Sequence, residues 1–422
     1  MRVTTLLRKL IGIVGLRVVK LSVDAGALVA DVRPNWREPR CGRCGRRPSG
    51  QRPGGASVAS PGRRWRHLDL AGVRLFLAYD VRWVYCPTCG RTVEQVPWSS
   101  TAESRYTDAF EEHVAYMAQR SDKTSVRRIL RIAWESVGRC IERVVSRLRP
   151  EEPLAGLTAI GVDELSYRKQ HHYVTLVTDH LNRRIVWGKK GRSAEILEAF
   201  FEELGAEGRE QLRLVSMDMS GGYKKALREN QDLEHVQVVF DRFHVQQLAS
   251  KALDETRREE WNRLRQEHGK KSDEAKALKN LRWTLLRDSL SLSEAQQARL
   301  AELQRDNKRL FRAYLLKEEL GDILDRRQPN VVEALLTKWC SWASRSRLDA
   351  FVRTGKTIRE HMDGIVAYIR HRITNGLVEG LNNKARLLTR RAYGFHSAEA
   401  VVAMIELCCS GLKPEPGHHE LA

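Results

Sequence analysis

Three aspartates in this sequence each close a short apolar run. The run 157–162 ends in Asp163, the run 212–217 in Asp218 and the run 236–240 in Asp241. Apolar runs of that length, bounded by turn residues, read as buried strands. An acid just past a strand end stands at the edge of a sheet. Two carboxylates brought together there repel each other unless a hard cation sits between them, and such oxygen ligands suit magnesium. A third acid is best sought on a helix packed over that edge, and the segment 375–383 begins one. Val378, Leu381, Ala385, Leu388 and Ala392 fall on one face of it; Glu379, Asn383, Arg386 and Arg390 lie on roughly the opposite face. An acid heading a stripe that runs into two arginines fits a metal ligand beside a nucleic-acid backbone. An acid in the first helical turn is also favoured by the macrodipole alone.

A second constellation is made of cysteines. Cys41-Gly42-Arg43-Cys44 and Cys86-Pro87-Thr88-Cys89 form two C-x-x-C pairs, each followed by glycine, Gly45 and Gly90. The short loop lets both sulfurs of a pair address one ion, and the glycine permits the tight turn. Four thiolates would fill the coordination of one Zn2+ and leave no place for water, so the site reads as structural. The alternative is a pair of disulfides or unrelated thiols. Cys140, Cys340, Cys408 and Cys409 sit in apolar helical patterns and read as buried small hydrophobes.

The elements that must carry these groups divide the chain unevenly in charge. Its 422 residues hold 73 Lys and Arg against 53 Asp and Glu, a formal +20. Residues 1–150 hold 28 basic and 13 acidic side chains, +15, which leaves only +5 for the rest. A basic N-terminal module that meets a polyanion is implied. Arg37, Arg40, Arg43, Arg46, Arg47, Arg52, Arg63, Arg64 and Arg66 surround the first cysteine pair, interleaved with Trp36 and Trp65. Arginine–phosphate contacts would supply affinity there without sequence information. Residues 48–62 read as a loop, and 66–70 and 73–85 as strands. Over 101–150 the period becomes helical: Phe110, Val114 and Met117; then Val126, Ile129, Leu130 and Ala133; then Val137, Ile141, Val144 and Leu148. The third helix carries Arg139, Arg143 and Arg147 on its other face. This predicts a helix-turn-helix-like segment with the third helix reading DNA, although no glycine marks the turn near Arg131. A three-helix linker with a solvated basic face is the alternative.

From residue 155 the order is strand, strand, strand, helix, strand, helix, strand. That is the layout of a ribonuclease H-like sheet, in which the first and fourth strands lie side by side. Between Asp218 and Glu379 lie 160 residues, more than a compact sheet needs. Residues 245–370 read as amphipathic helices over 251–267, 274–287, 293–320 and 331–343, with another from 358. Ser293 and Gln296 form a capping box. The predicted fold class is multidomain α/β. A zinc-ribbon-like module spans 1–100 and the helix-turn-helix-like segment 101–150. A ribonuclease H-like catalytic core occupies 155–244 and 371–412, interrupted by a helical insertion at 245–370. A disordered tail, 413–422, includes His418 and His419.

In this order, with Ile160-Gly161-Val162-Asp163-Glu164, Val215-Ser216-Met217-Asp218-Met219 with Tyr223, and Asp241-Arg242-Phe243-His244-Val245, the chain resembles a known family. The segments Thr374–Asn383 and Arg391-Ala392-Tyr393-Gly394-Phe395 complete the pattern. It is similar to the ISL-three family of bacterial insertion-sequence transposases, of the DDE class. The resemblance spans nearly the whole chain. It implies a catalytic triad of Asp163, Asp218 and Glu379 that binds two Mg2+ (or Mn2+) ions. One ion would activate a water or a 3′ hydroxyl and the other would neutralise the leaving oxygen. Terminal inverted repeats and target DNA would be the substrates, and Asp241, His244 and Asn383 would be supporting residues. Arg139, Arg143, Arg147, Arg386 and Arg390 are the candidate DNA contacts. Holding two DNA ends implies a homodimer or higher oligomer.

Two alternatives stay open at this point: a domesticated DNA-binding regulator, and a ribonuclease H-like structure-specific nuclease without strand transfer. A small-molecule enzyme is disfavoured, because no G-x-x-x-x-G-K-[ST] phosphate loop is present. The longest apolar run near the N-terminus, 10–16, is too short for a membrane span, and Arg17 and Lys20 cut it short as a signal peptide. The expectation is a cytoplasmic, nucleoid-associated bacterial protein.

Overall fold

A computed structural model describes residues 3–36, 38–48, 58–168, 172–219, 221–269, 273–373, 376–392, 395 and 397–417, without the side chains of 221, 274 and 377–379. The chain forms two compact units, Met1–Pro153 with Leu387–Ala422, and Leu154–Arg386.

The first unit is built on two hairpins. Helix α1 (Val3–Ile11) precedes β1 (Leu16–Asp24) and β2 (Ala27–Pro34), followed by β3 (Val58–Leu70), β4 (Val73–Cys86) and the short β5 (Gly90–Val93). The turns are Ala25-Gly26 and Ala71-Gly72, each with positive φ at both positions. Such turns twist with the strands they join. Strand β2 pairs in parallel with β4, giving the order β1-β2-β4-β3, with β5 on the end of β4. Part of the segment read as a loop is therefore strand. Pro61-Gly62 is absorbed as a register shift between Ser60 and Arg63, where the Gly62 N–H donates to Asp80 Oδ1 at 2.6 Å. The core of the sheet is Leu16, Val18, Ala30, Val32, Leu75 and Leu77, closed by Trp65 and Trp98 edge to face at 5.5 Å.

Three helices follow: α2 (Asp108–Arg120), α3 (Lys123–Leu130) and α4 (Trp134–Leu148). Thr107 caps α2, and Asp122 caps α3 by accepting from Thr124 and Ser125 N–H, both at 2.9 Å. The turn that lacks a glycine is made by Arg131 itself, at φ 54° and ψ 49°. Its guanidinium is tied to Asp69 and to the Gly72 carbonyl, which offsets the cost of that conformation. Ala133 is the N-cap of α4 rather than part of α3, and Ile129 is exposed, so the apolar stripe of α3 is narrower than its sequence suggests.

The basic stripe of α4 is mostly internal. Glu111 on α2 is fully buried and accepts from Arg143 Nε at 2.6 Å, Arg147 Nη1 at 3.2 Å and Ser104 Oγ at 2.6 Å. Arg147 also reaches Asp108 and Glu112. Only Arg139 of the three is exposed.

The last helix, Ala398–Cys409, belongs to this unit rather than to the catalytic sheet. It packs on α4 and α2, with Gln119 Nε2 donating to the Leu407 carbonyl at 2.7 Å and Arg149 paired with Glu406 at 3.1 Å. Beyond it, the Pro416 carbonyl meets His113 Nδ1 at 2.6 Å, so the tail as far as Gly417 lies against α2.

The second unit starts with β6 (Ala159–Arg168), β7 (His172–Asp179) and β8 (Arg184–Lys190). Then come α5 (Ala194–Gln211), β9 (Leu214–Met217), α6 (Gly221–Arg228) and β10 (Gln237–Phe240). The sheet order is β10-β9-β6-β7-β8. The first three strands are antiparallel, while β9 and β10 run parallel to β6. The first and fourth strands of this unit are neighbours. Helix α5 covers one face with Leu197, Phe200 and Phe201, and Phe200 meets Trp187 edge to face at 5.5 Å.

A helical stretch then runs through α7 (Arg242–His268), α8 (Asp273–Asn280), α9 (Arg282–Leu286), α10 (Glu294–Asp306), α11 (Lys308–Asp325), α12 (Pro329–Ser344), α13 (Asp349–Glu360) and α14 (Met362–His371). The single helix read over 293–320 is two. Asn307 leaves helical geometry at φ −138° and caps α11 by accepting from Leu310 N–H at 2.9 Å. Within this unit the helices and the sheet share one apolar cluster. Helix α14 lies against β10 so closely that a Cβ at Gly364 would stand 2.4 Å from the Phe240 ring. Helix α15 (Gly376–Arg391) follows, assigned to this unit as far as Arg386.

Arg143→Ala removes the closest cation from a fully buried carboxylate. Breaking such a pair is expected to lower the stability of the first unit by about 3 kcal/mol in chemical denaturation. An unchanged denaturation midpoint with weakened DNA binding would instead assign Arg143 to DNA.

Candidate catalytic site

Parallel register sets the acids level. Ala159 pairs with Leu214, and Leu214 with Gln237. Asp163, Asp218 and Asp241 each lie four residues beyond those partners, so they occupy matching levels on three adjacent strands: Asp218 and Asp241 just past the carboxyl ends of β9 and β10, and Asp163 within β6, which runs on to Arg168 in its pairing with β7. The strands supply little but apolar side chains up to that level: Ile160, Val162, Val215, Met217, Val239 and Phe240 are all buried.

Asp163 is held from two sides. Its Oδ1 accepts from the Glu164 N–H at 2.7 Å, and its Oδ2 accepts from the side-chain amide of Asn382 on α15. Burial pushes its carboxyl up from the ordinary range. The Glu164 N–H and the charges of His244 and Arg386 pull it back, and Asp218 adds to the upward push. Glu164 behaves likewise: half-burial is the main cause of its upward shift and repulsion by Asp218 the next. A third member is Tyr223, which bonds Thr175 Oγ1 at 2.9 Å and is pushed up by burial and by Glu164 and Asp218. The charge of Asp218 thus adds to the upward push on both Asp163 and Glu164, and Asp163 adds to that on Glu164. A divalent cation would relieve that repulsion, so the donor set fits one.

Asp241 has a structural task at its own position. It is the N-cap of α7, accepting from the Phe243 N–H at 2.6 Å. His244 follows in the first turn, near enough for its charge to act on Asp163. Asn383 is exposed and accepts from Arg386 at 3.2 Å. Its neighbour Asn382, only 1% exposed, is the asparagine that reaches Asp163. Arg386 and Arg390 are exposed; Arg390 belongs to the first unit. Glu379 lies in α15, three residues before Asn382, and its side chain is outside the described set. Of the other residues singled out in the sequence, Arg37, Arg52, Thr374, Asn375, Tyr393, Gly394, His418 and His419 lie outside the described residues. Sequence reasoning missed the roles of Glu164 and Asn382. Glu164 adjoins Asp163 in the motif, and the adjacent asparagines gave no sign of which one was buried.

The four knuckle cysteines converge in the first unit. Their sulfurs all lie within 4.8 Å of one another, and Cys44 and Cys86 are 3.5 Å apart. N–H groups of Cys89 and Thr88 draw the Cys86 thiol down, which favours thiolate there, whereas the crowding thiols push Cys89 up. Gly45 and Gly90 take positive φ (68° and 71°), as the tight turns require. At Gly42 a Cβ would stand 2.6 Å from the Val93 carbonyl, so only glycine lets the knuckle close against β5. This cluster could hold a metal ion. Some of the surrounding arginines are internal: Arg66 is 4% exposed and bonds Asp69, and Arg63 stacks on Trp65 at 4.7 Å.

Acids level on adjacent parallel strands, with a helix bonded to one of them, are an arrangement that could handle phosphoryl groups through cations. Residues 160–405 match the model of the DDE, ISL3-type family, described as transposase. The chain belongs to the ISL3 family of DDE transposases. It is 37% identical over 416 residues to the transposase for insertion sequence element IS1557 of Mycobacterium tuberculosis, covering 94% of this chain and 92% of that protein. It is 28% identical over 340 residues to the transposase for insertion sequence element IS1001 of Bordetella parapertussis, covering 80% and 82%. The protein is therefore an enzyme of DNA transposition that cleaves DNA strands and transfers them, it binds DNA, and its class uses divalent metal ions. Among the described residues, no helix is long and apolar enough to cross a membrane.

Asp241→Asn keeps a good cap and is expected to leave thermal stability unchanged, whereas Asp241→Ala costs about 1 kcal/mol. Cleavage by the Asn variant should match the parent; a loss as deep as that of Asp163→Asn would make Asp241 a ligand.

Proposed function

We propose that Asp163, Asp218 and Glu379 are the catalytic triad and that they hold two Mg2+ or Mn2+ ions. The observation that carries this reading is the register that sets Asp163 level with Asp218 while α15 is bonded to Asp163 one helical turn from position 379. Bound there, the divalent ions supply a nucleophile at neutral pH and charge for the leaving 3′ oxygen. The chain's own groups do the rest. Asp163 is fixed in orientation by the Glu164 N–H and the Asn382 amide. Arg386, exposed and close enough to influence Asp163, draws the phosphodiester to that edge. Glu164, bonded to Tyr223, adds a further carboxylate close enough to Asp218 to feel its charge.

The second unit through Arg386 is read as a ribonuclease H-like catalytic core, interrupted by the helices of 245–370. The strand order β10-β9-β6-β7-β8 supports that reading. The first unit is read as the DNA-binding part, with one structural Zn2+ on Cys41, Cys44, Cys86 and Cys89. Its ligands would be the terminal inverted repeats of the element. With Arg143 and Arg147 engaged by Glu111, the exposed Arg139 is the better candidate on α4 for a DNA contact. Holding two ends calls for a homodimer or higher oligomer, acting in the bacterial cytoplasm on nucleoid DNA.

Asp163→Asn keeps the shape of the side chain and removes its charge. Cleavage of labelled end DNA in Mg2+ should fall by roughly a thousandfold, the scale of several kcal/mol of lost charge stabilisation, while a gel-shift titration of the same DNA stays unchanged. Cleavage at the parent rate would remove Asp163 from the triad.

A further inference from the structure

Asn382 combines three features that no other residue near the acids shares among those described. It is 1% exposed, its Nδ2 donates to Asp163 Oδ2, and its Oδ1 is buried without a partner among the described residues. An amide buried in a helix that faces a sheet is costly to desolvate, and an unmatched carbonyl oxygen costs more than an apolar side chain of the same shape. Packing alone would be better served by leucine, since the helix already buries Ala385 and Leu388 on that side. The amide is therefore retained for what its polar atoms do.

Each carboxylate oxygen has two lone pairs. One on Asp163 Oδ1 is taken by the Glu164 N–H at 2.7 Å and one on Oδ2 by Asn382. The carboxylate is thus locked in plane while each oxygen keeps a lone pair for a cation. The same bond ties α15 to β6 one turn beyond position 379.

We infer that Asn382 is a positioning residue for the divalent-metal site. Its N–H orients the Asp163 carboxylate, and its Oδ1 accepts a hydrogen bond from a water or hydroxyl brought to that carboxylate with the cation. This rests on the reading of Asp163 as a metal ligand. Residues that orient metal ligands in this way contribute about 10- to 100-fold to metal affinity.

The test uses the full chain, with Mn2+ as the probe. Mn2+ binding without DNA is measured by electron paramagnetic resonance for the parent, Asn382→Leu, Asn382→Ala and Asp163→Asn, with thermal melting in EDTA alongside. Leu fills the space of the amide and Ala leaves it empty, but both remove the donor. Both Asn382 variants are expected to bind Mn2+ about 10- to 100-fold more weakly, with the Mn2+ needed for half-maximal cleavage rising in step and cleavage returning at saturating Mn2+. The Leu variant should melt at least as high as the parent. Parent-like Mn2+ affinity in the Leu variant with loss only in Ala would make Asn382 a packing residue and overturn the inference. So would a drop in melting temperature with unchanged Mn2+ affinity. If Asp163→Asn itself binds Mn2+ and cleaves like the parent, the metal-site reading fails instead.

Discussion

The repulsion among carboxylates at one sheet edge is the constraint on which the second unit depends. Parallel pairing of β6, β9 and β10 places acids side by side at one level of the sheet, where burial and like charge both oppose ionisation of Asp163 and Glu164. A sheet would not be expected to keep such an arrangement for stability, since acids lowered in number or moved apart would fold more easily. What makes it tolerable is the surrounding order. Apolar side chains fill the strands below, a helix cap engages Asp241, and donors from Glu164 and Asn382 engage Asp163. The transposition chemistry of the family and the cost of this cluster are two sides of one feature.

The first unit answers a different electrostatic problem. Its excess of arginine exists beside a thin supply of acids, and the fold uses several of those arginines internally. Glu111 gathers Arg143 and Arg147, Asp69 gathers Arg66 and Arg131, and Glu94 gathers Arg82. Apart from the local Arg66–Asp69 pair within β3, these bonds join parts distant in sequence: α2 to α4, the β3 end to the turn at Arg131, and β4 to the segment after β5. The positive charge left for a polyanion is accordingly carried by fewer residues than the sequence count suggests.

How much was readable from residues alone follows from the range of each interaction. The strand ends at Asp218 and Asp241, and the cysteine knuckles with their glycines, are local patterns, and both appear where the spacing put them; the end expected at Asp163 does not, because pairing with β7 carries β6 on to Arg168. The ends of helices with side-chain caps, such as that at Ser293, were equally readable. Long-range effects were not. Nothing local distinguishes Asn382 from Asn383, because the choice depends on which one α15 turns toward β6. Nothing in the stripe Arg139, Arg143, Arg147 announces that Glu111, some thirty residues earlier, captures two of the three. The break at Asn307 was hidden by a continuous helical period on either side, and the placement of Ala398–Cys409 with the first unit was hidden by its uniform apolarity. In each case a tertiary partner decided what periodicity left open.

The central claim, that Asp163, Asp218 and Glu379 surround the same divalent ions, is tested most directly by replacing Mg2+ with Fe2+ and generating hydroxyl radicals at the bound metal. The polypeptide should then be cut at three sites distant in sequence: beside Asp163, beside Asp218 and within 376–383. Cuts beside the two aspartates without any in 376–383, or cuts found only near Asp241 and His244, would contradict the account.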